Sequence, residues 1–137
     1  MFKRLIILTV AAPLLALLAV APAHAGQPIY TPDPIVVPDG KGLDDVKKAI
    51  RKACFDKGWE VREIGAGHMQ AKHTKTGRKG ATHVAVVDIK YGSKNIRISY
   101  KDSQDLDYDA GAQTIHKTYN NWIRYLEKNI RANLGAY

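Results

Sequence analysis

Cysteine is nearly absent from the sequence. Cys54 is the only cysteine among 137 residues, so no intramolecular disulfide can form. The fold must therefore depend on a packed core, which a chain of this length can build without covalent cross-links. Cys54 lies within a helical pattern, and we interpret it as a small buried hydrophobic residue.

Long hydrophobic runs are confined to the first 25 residues. Residues 5–20 are mostly apolar, follow Lys3 and Arg4, and precede the small-residue sequence Ala-His-Ala at 23–25. This order is typical of a secretory signal peptide, and the run is too short for a transmembrane helix. We therefore expect cleavage after residue 25, which leaves an exported, soluble protein that is periplasmic or secreted.

Acidic residues are scarce relative to basic ones. The chain has 21 Lys and Arg against 13 Asp and Glu, a formal charge of +8. In an exported protein this surplus favours anionic partners, namely envelope polymers such as lipopolysaccharide and peptidoglycan, or nucleic acid. It is also compatible with a simpler role in keeping the protein soluble.

Proline is rare except near the start of the expected exported chain. Four of the six prolines fall within residues 26–40, which show no hydrophobic period. This composition predicts a Pro-rich extended segment. The remaining residues, 41–137, have the length of a single α+β domain.

Two amphipathic helices are predicted, one at each end of this domain. Apolar residues at 43, 46, 50 and 53 have helical spacing, so the first helix is expected over residues 43–57, ended by Gly58. The second helix is expected over residues 114–134. Its apolar stripe consists of Ile115, Tyr119, Trp122, Leu126 and Ile130.

Glycine-containing turns near Gly65, Gly77 and Gly92 separate four alternating segments between the helices. The expected cross-strand pairs are Val61 with Met69, His73 with His83, and Ile89 with Ile96. This register places the apolar side chains on one face, as a half-buried antiparallel meander requires. The predicted fold is an α+β two-layer sandwich, ordered helix, four-stranded antiparallel meander, helix.

The other face of the predicted sheet is not covered by the helices. We name it the open sheet face, and it holds Arg62, His68, Gln70, Lys72, Val84, Val86, Asp88, Lys90, Arg97, Ser99 and Lys101. The candidate binding residues are a basic rim and an apolar centre, formed by Lys72, Lys90, Arg97 and Lys101 around Val84 and Val86. Asp88 is expected to lie between His68 and Arg97 as an ionic anchor.

Three interpretations of this face stay open. It could bind an anionic partner, in which case binding weakens strongly with salt because cation–phosphate contacts dominate it. It could instead contact a protein partner or a second copy of the chain through Val84 and Val86. Finally, the Pro-rich segment could close the face internally with residues 35–37.

Four aspartates lie close together in the sequence KDSQDLDYDAG at residues 101–111. Alternating aspartates are typical of a helix-loop-helix calcium site, but Ala110 occupies the turn position that requires glycine. His116 occupies the position at which a bidentate glutamate is needed. We therefore predict no metal here and expect the carboxylates to lead into the second helix, with Asp109 as its N-cap.

Other catalytic and metal chemistry finds little support in the sequence. His116, Asn120 and Asp109 could form the centre of a small hydrolase, but no activated nucleophile accompanies them. His73 and His83 are too few ligands for a zinc site. We predict a non-catalytic protein without a cofactor, in which His116 is packed and hydrogen-bonded.

Two stretches, KKAIRKACFDKGWEV and YKDSQDLDYDAGAQTIHKTYNNWIRYLEKNI, carry recognisable motifs. They contain Gly-Trp after the first helix, then Leu-x-Tyr-Asp, then Ile-His-x-x-Tyr-Asn-x-Trp. In these motifs the chain resembles a family of small exported bacterial proteins and lipoproteins with no established activity. The resemblance implies an envelope protein and no particular chemistry. Many relatives are expected to be lipid-anchored, whereas Gly26 and not cysteine follows the expected cleavage site here, so the placement in the envelope stays open. The expected function is a non-catalytic binding or envelope-associated module.

Overall fold

The computed structural model describes residues 26–136, so the predicted signal peptide at residues 1–25 lies outside the described residues. The elements in chain order are β1 (Gln27–Pro28), β2 (Ile35–Val36), α1 (Leu43–Asp56), β3 (Trp59–Gly65), β4 (His68–Thr76), β5 (Thr82–Tyr91), β6 (Asn95–Gln104), β7 (Thr114–Ile115) and α2 (Lys117–Leu134). The predicted α+β class is therefore confirmed. Within the described part of the chain, no helix has the length and apolar character needed to cross a membrane.

The main sheet has five antiparallel strands in the order β2-β6-β5-β4-β3, and β1 pairs with β7 in a separate two-stranded sheet. Strands β3 to β6 form the predicted meander. The prediction of four strands missed β2, whose Ile35 pairs with Ile96 at the edge of β6. A strand of two residues between prolines is too short to show the alternation by which strands are recognised in a sequence.

The predicted register is wrong by two residues in each hairpin of the meander. The observed pairs are Val61 with Ala71, His73 with Ala85, and Ile89 with Ile98. In the last hairpin the loop is longer than predicted, because Tyr91 pairs with Ile96 and the Gly92 amide donates to the Asn95 carbonyl at 3.0 Å. Side chains alternate with a period of two, so a shift of two residues leaves the side chains on their predicted faces up to the β-bulge in β6. Beyond the bulge, from Asp102 to Gln104, the shift is three residues and the faces change.

The turn between β3 and β4 is held against the end of β5 by Gly67. Its φ of +67° is favoured by glycine, and a Cβ at this position would lie 2.8 Å from the Tyr91 carbonyl oxygen. The Tyr91 amide donates to the Gly67 carbonyl oxygen at 2.9 Å. This hydrogen bond joins the β3–β4 turn to β5 at the end of the sheet that carries Lys90 and Arg97.

One hydrophobic core joins both helices to one face of the sheet. From α1 the core receives Val46, Ile50, Ala53 and Cys54, and from the sheet Met69, Ala71, Ala85, Val87, Ile89, Ile96 and Ile98. Cys54 is fully buried, and this burial raises the pKa of its thiol to about 12. The interpretation of Cys54 as a buried hydrophobic residue is thus confirmed, since a protonated, inaccessible thiol is a poor nucleophile.

Helix α2 begins three residues later than predicted. Ile115 belongs to β7, and His116 is the N-cap, whose Nδ1 accepts a hydrogen bond from the Thr118 amide at 3.1 Å. The prediction that Asp109 is the N-cap of α2 is therefore wrong. The carboxylate of Asp109 instead accepts from the Ala112 amide at 3.0 Å, which closes a local turn ahead of β7.

The Pro-rich segment is integrated into the fold. Ile35 is fully buried in the core, while its neighbour Val36 is 68% exposed. Buried Asn120 of α2 accepts from the Tyr30 amide at 2.8 Å and donates to the Pro28 carbonyl oxygen at 2.9 Å. The segment therefore follows the sheet edge and α2, and the interpretation in which it covers the open sheet face is wrong.

Candidate functional site

The open sheet face is ordered in rows that run across the strands. One row is basic, because Lys90 of β5 lies opposite His68 of β4 and Arg97 of β6. The next row is polar, with Asp88 between Gln70 and Ser99. The following rows hold the apolar centre, formed by Val86 and Val84, both partly exposed.

The pair Lys90 and Arg97 is the most unusual feature of this face. Two like charges directly opposite each other in neighbouring strands destabilise a sheet by roughly 0.2 to 1 kcal/mol. Among residues 26–136, no carboxylate oxygen lies within 4.0 Å of the charged nitrogens of either side chain. Both side chains are exposed, so within the described residues their positive charge faces solvent without an ion-pair partner.

Lys72 and Lys101 lie beside the apolar centre. Lys72 is opposite Val86. Lys101 falls at a β-bulge, since the register changes between the pair of Val87 with Tyr100 and the pair of Val86 with Asp102. Bulges re-aim side chains, and they are common beside functional sites.

A shallow depression of about 340 Å³ adjoins Lys72. It is lined by Glu60, Val61, Arg62, Gln70, Lys72 and Val86. Its floor is thus partly apolar and its walls are charged. Such a depression can accept a small group, such as a sugar or a base, while a neighbouring anion contacts the lysine.

The predicted rim is therefore two pairs of cations and not a closed ring. Lys90 and Arg97 are separated from the level of Val86 by four residues of β5, which is about 13 Å at about 3.3 Å per residue. Lys72 and Lys101 lie at or near that level. Two cationic points at such a spacing fit a repeating anionic chain better than a single compact anion.

Asp88 occupies the space between the two pairs. Its Oδ1 lies 2.7 Å from His68 Nε2 and 3.5 Å from Gln70 Nε2. Burial raises the pKa of this carboxyl, but the hydrogen bonds from His68 and Gln70 and the nearby charges of His68 and Lys101 outweigh it and leave the pKa below its ordinary value. Of the predicted anchor, the His68 contact is confirmed, whereas Arg97 forms no ion pair with Asp88 in the described chain.

Two carboxylates that were not predicted also lie on this face. Glu60 lies opposite Lys72 in the edge strand, and Asp102 lies opposite Val86 because of the bulge. Glu60 follows from alternation with Arg62 and could have been found from the sequence. The β-bulge leaves no pattern in the sequence, so Asp102 could not have been placed on this face from the sequence.

The candidate hydrolase residues are held by separate structural contacts. His116 caps α2, Asn120 binds the backbone of the Pro-rich segment, and Asp109 closes its own turn. His116 is hydrogen-bonded as predicted but is exposed and not packed. The described hydrogen bonds do not join the three side chains to one another.

The histidines considered for zinc lie apart in the sheet register. His73 is opposite Ala85, and His83 is opposite Lys75. His73 Nδ1 donates to the Gly58 carbonyl oxygen at 3.0 Å, and its ring contacts that of Trp122 with centroids 4.4 Å apart. Burial, the largest effect on this ring, lowers its pKa.

The acidic loop also forms local contacts. Asp102 Oδ1 accepts from the Ser103 amide at 2.8 Å, and the carbonyl oxygen of Asp105 accepts from His83 Nδ1 at 2.6 Å. Asp105 and Asp107 both have a φ of +52°. Across residues 26–136, no three His, Cys, Asp or Glu side chains are grouped so that they could hold a metal ion.

Millimolar calcium is expected to leave the melting temperature unchanged. A site that binds only the folded protein would add about 2.7 kcal/mol at a hundredfold excess over its dissociation constant. Asp109→Ala should cost about 1 kcal/mol in calcium and in chelator alike, because it removes the hydrogen bond to Ala112. Calorimetry measures the melting temperature with calcium and with chelator. A calcium-dependent rise in melting temperature that is abolished by Asp105→Ala or Asp107→Ala would show that this loop is a metal site.

Comparison with protein-family models and with curated proteins found no match for this chain. The resemblance to small exported bacterial proteins therefore stays a prediction. The candidate site depends on the geometry and charge of the open sheet face alone.

Proposed function

We propose that this protein is an exported, non-catalytic binding module that holds anionic polymers on its open sheet face. The observation that carries the proposal is the opposed pair of Lys90 and Arg97, which lacks an acidic partner in the described chain. Folding alone gives no reason to keep two repelling cations there. A polyanion relieves the repulsion because its charges fall between the two side chains.

The second pair of cations extends the site along the strands. Lys72 and Lys101 lie on either side of Val86, and Lys72 also lines the shallow depression. A chain that contacts Lys90 and Arg97 therefore reaches this second pair within one or two repeating units. Candidate partners are lipopolysaccharide, peptidoglycan fragments and nucleic acid. Each combines regularly spaced negative charge with groups that can lie against an apolar surface.

Contact with a protein partner or a second copy of the chain is less well supported. Val84 and Val86 are only partly exposed and are surrounded by charged side chains. Stable homodimer interfaces are larger and more apolar than this centre. A hydrolase centred on His116 is also disfavoured, because its proposed partners Asn120 and Asp109 are engaged elsewhere.

Binding to at least one of the three polymers is expected to weaken steeply as salt rises. For duplex DNA, the logarithm of the affinity should fall with the logarithm of salt concentration by about 0.9 per phosphate contact. The double variant Lys90→Gln/Arg97→Gln should therefore reduce that slope by about 1.8. Titration of the protein with each polymer at several salt concentrations measures the effect.

The matched control removes the same charge elsewhere. Lys41→Gln/Lys48→Gln changes two exposed lysines that lie outside the sheet and should leave the slope nearly unchanged. If both double variants lower the slope equally, net charge and not the sheet face governs binding. Affinity that does not change with salt, or no binding to any of the polymers, would contradict the proposal.

A further inference from the structure

A second basic surface lies on the opposite side of the molecule, on the outer face of the helices. Phe55 of α1 is 83% exposed and Tyr125 of α2 is 57% exposed. Both point away from the apolar stripes that α1 and α2 bury. Lys57 follows Phe55 by two residues at the end of α1. Its Nζ is 5.9 Å from the centre of the Tyr125 ring, which brings this end of α1 next to Tyr125 of α2. Exposed aromatic rings next to lysines have no role in the core.

Two adjoining depressions run along α2 from this point. One of about 290 Å³ is lined by Lys57, Tyr125, Lys128, Asn129 and Ala132, and one of about 360 Å³ is lined by Arg124, Glu127, Lys128, Arg131, Ala132 and Ala136. They share Lys128 and Ala132, so together they form a continuous groove. The alanines give the groove a partly apolar floor, and the cations stand at its margins.

The carboxylates near this surface are neutralised within the protein. Glu127 Oε1 accepts two hydrogen bonds from Arg131, at 3.1 and 3.0 Å, and its Oε2 accepts from the Tyr30 hydroxyl at 2.6 Å. Asp56 pairs with Lys52 at 2.7 Å. In residues 26–136, Lys57, Arg124 and Lys128 have no carboxylate within 4.0 Å. The surface therefore presents net positive charge around two exposed rings.

We propose that this helical surface docks on an anionic phospholipid bilayer, with Phe55 and Tyr125 at the headgroup boundary and the lysines against phosphates. Aromatic rings favour the membrane interface, and each nearby Lys or Arg adds attraction to anionic lipid. A soluble polyanion would make no use of the exposed Phe55. A protein partner normally requires a larger apolar patch than two rings among cations.

This docking is independent of the open sheet face, because the core separates the two surfaces. A protein bound to lipid through its helices would keep Lys90 and Arg97 directed away from the bilayer. It would then hold an anionic polymer next to a membrane. The two proposals can consequently fail separately.

The test is co-sedimentation with phosphatidylcholine vesicles, either pure or containing roughly one third phosphatidylglycerol, near physiological salt. It uses the chain from Gly26, which contains all of the described core, so that the apolar residues before it cannot contribute. Binding is expected only to the anionic vesicles. Each lysine is expected to contribute about fivefold to the vesicle affinity, so Lys57→Gln/Lys128→Gln should weaken binding about 25-fold.

Loss of the two rings should weaken binding at least about tenfold, because Phe55→Ser/Tyr125→Ser removes the apolar contact. Two variants serve as controls and should change binding less than about twofold. One is Val36→Ser, which alters an exposed apolar residue at the sheet edge. The other is Lys90→Gln/Arg97→Gln on the open sheet face. The variant Phe55→Trp should gain blue-shifted fluorescence with anionic vesicles relative to the parent protein, whose own tryptophans supply the background.

Three outcomes would overturn the proposal. The first is no binding to anionic vesicles. The second is unchanged binding after loss of both rings. The third is loss of binding in Lys90→Gln/Arg97→Gln alone, which would place lipid on the open sheet face instead.

Discussion

Ile35→Ala is expected to lower the free energy of unfolding by about 3 kcal/mol, although Ile35 lies in the predicted Pro-rich extended segment. Ile35 is fully buried in the core and pairs with Ile96 of β6, so its truncation leaves a cavity in the core. Chemical denaturation measures the free energy of unfolding, and the midpoint should fall without a change in the denaturant dependence.

The neighbouring residue supplies the control for this prediction. Val36 is 68% exposed, so Val36→Ala should change the free energy of unfolding by less than about 0.5 kcal/mol. Equal effects at the two positions would mean that the Pro-rich segment does not alternate between core and solvent. In that case β2 would not belong to the sheet.

Asn120→Ala is expected to lower the free energy of unfolding by about 2 to 4 kcal/mol. The substitution removes the hydrogen bonds of Asn120 to the Tyr30 amide and the Pro28 carbonyl oxygen and leaves both groups without that partner. Both hydrogen bonds are partly buried, so each lost bond costs about 1 kcal/mol, and the lost volume of the buried Asn120 side chain adds to this. Thermal and denaturant unfolding both measure the loss.

Asn121→Ala is the matched control, because Asn121 is exposed on the same helix. It should leave stability within about 0.5 kcal/mol of the parent protein. A catalytic role for Asn120 would give the opposite pattern. The substitution would then preserve the free energy of unfolding and abolish an activity.

The faces of the sheet could be predicted from the sequence, whereas the exact pairs could not. Alternation at Met69, Ala71, Ala85 and Val87 requires one buried face whichever even register is chosen. Loop length decides between those registers. Gly92 and Ser93 favour a two-residue turn, but the hydrogen bond from Gly92 to Asn95 closes a longer loop. Small differences in loop energy of this kind leave no pattern in the sequence.

The short strands could not be predicted, because they depend on distant contacts. β2 exists because Ile35 fills the core beside Ile96, and β7 exists because Ile115 pairs with Gln27. Both contacts join residues far apart along the chain. The start of α2 was misplaced for the same reason, since β7 occupies the two residues before the N-cap His116.

The residues of the candidate site could be predicted from the sequence, but their cross-strand neighbours could not. Alternation alone placed Lys72, Lys90 and Arg97 on the open sheet face. The shift of register then moved Arg97 from a position opposite Asp88 to one opposite Lys90, which turned an expected ion pair into a pair of like charges. The hydrophobic period of α1 does not include the exposed Phe55, because Phe55 lies off the buried stripe of its helix.

Mapping the bound surface by nuclear magnetic resonance tests the central claim most directly. The protein is labelled with nitrogen-15 and titrated with whichever of lipopolysaccharide, a peptidoglycan fragment or a DNA duplex binds it most tightly. Amide resonances around Lys72, Lys90, Arg97 and Lys101 should move most, and added salt should reverse the changes. If the changes lie on α1 and α2 while β4 to β6 stay unaffected, the open sheet face is not the polymer-binding site.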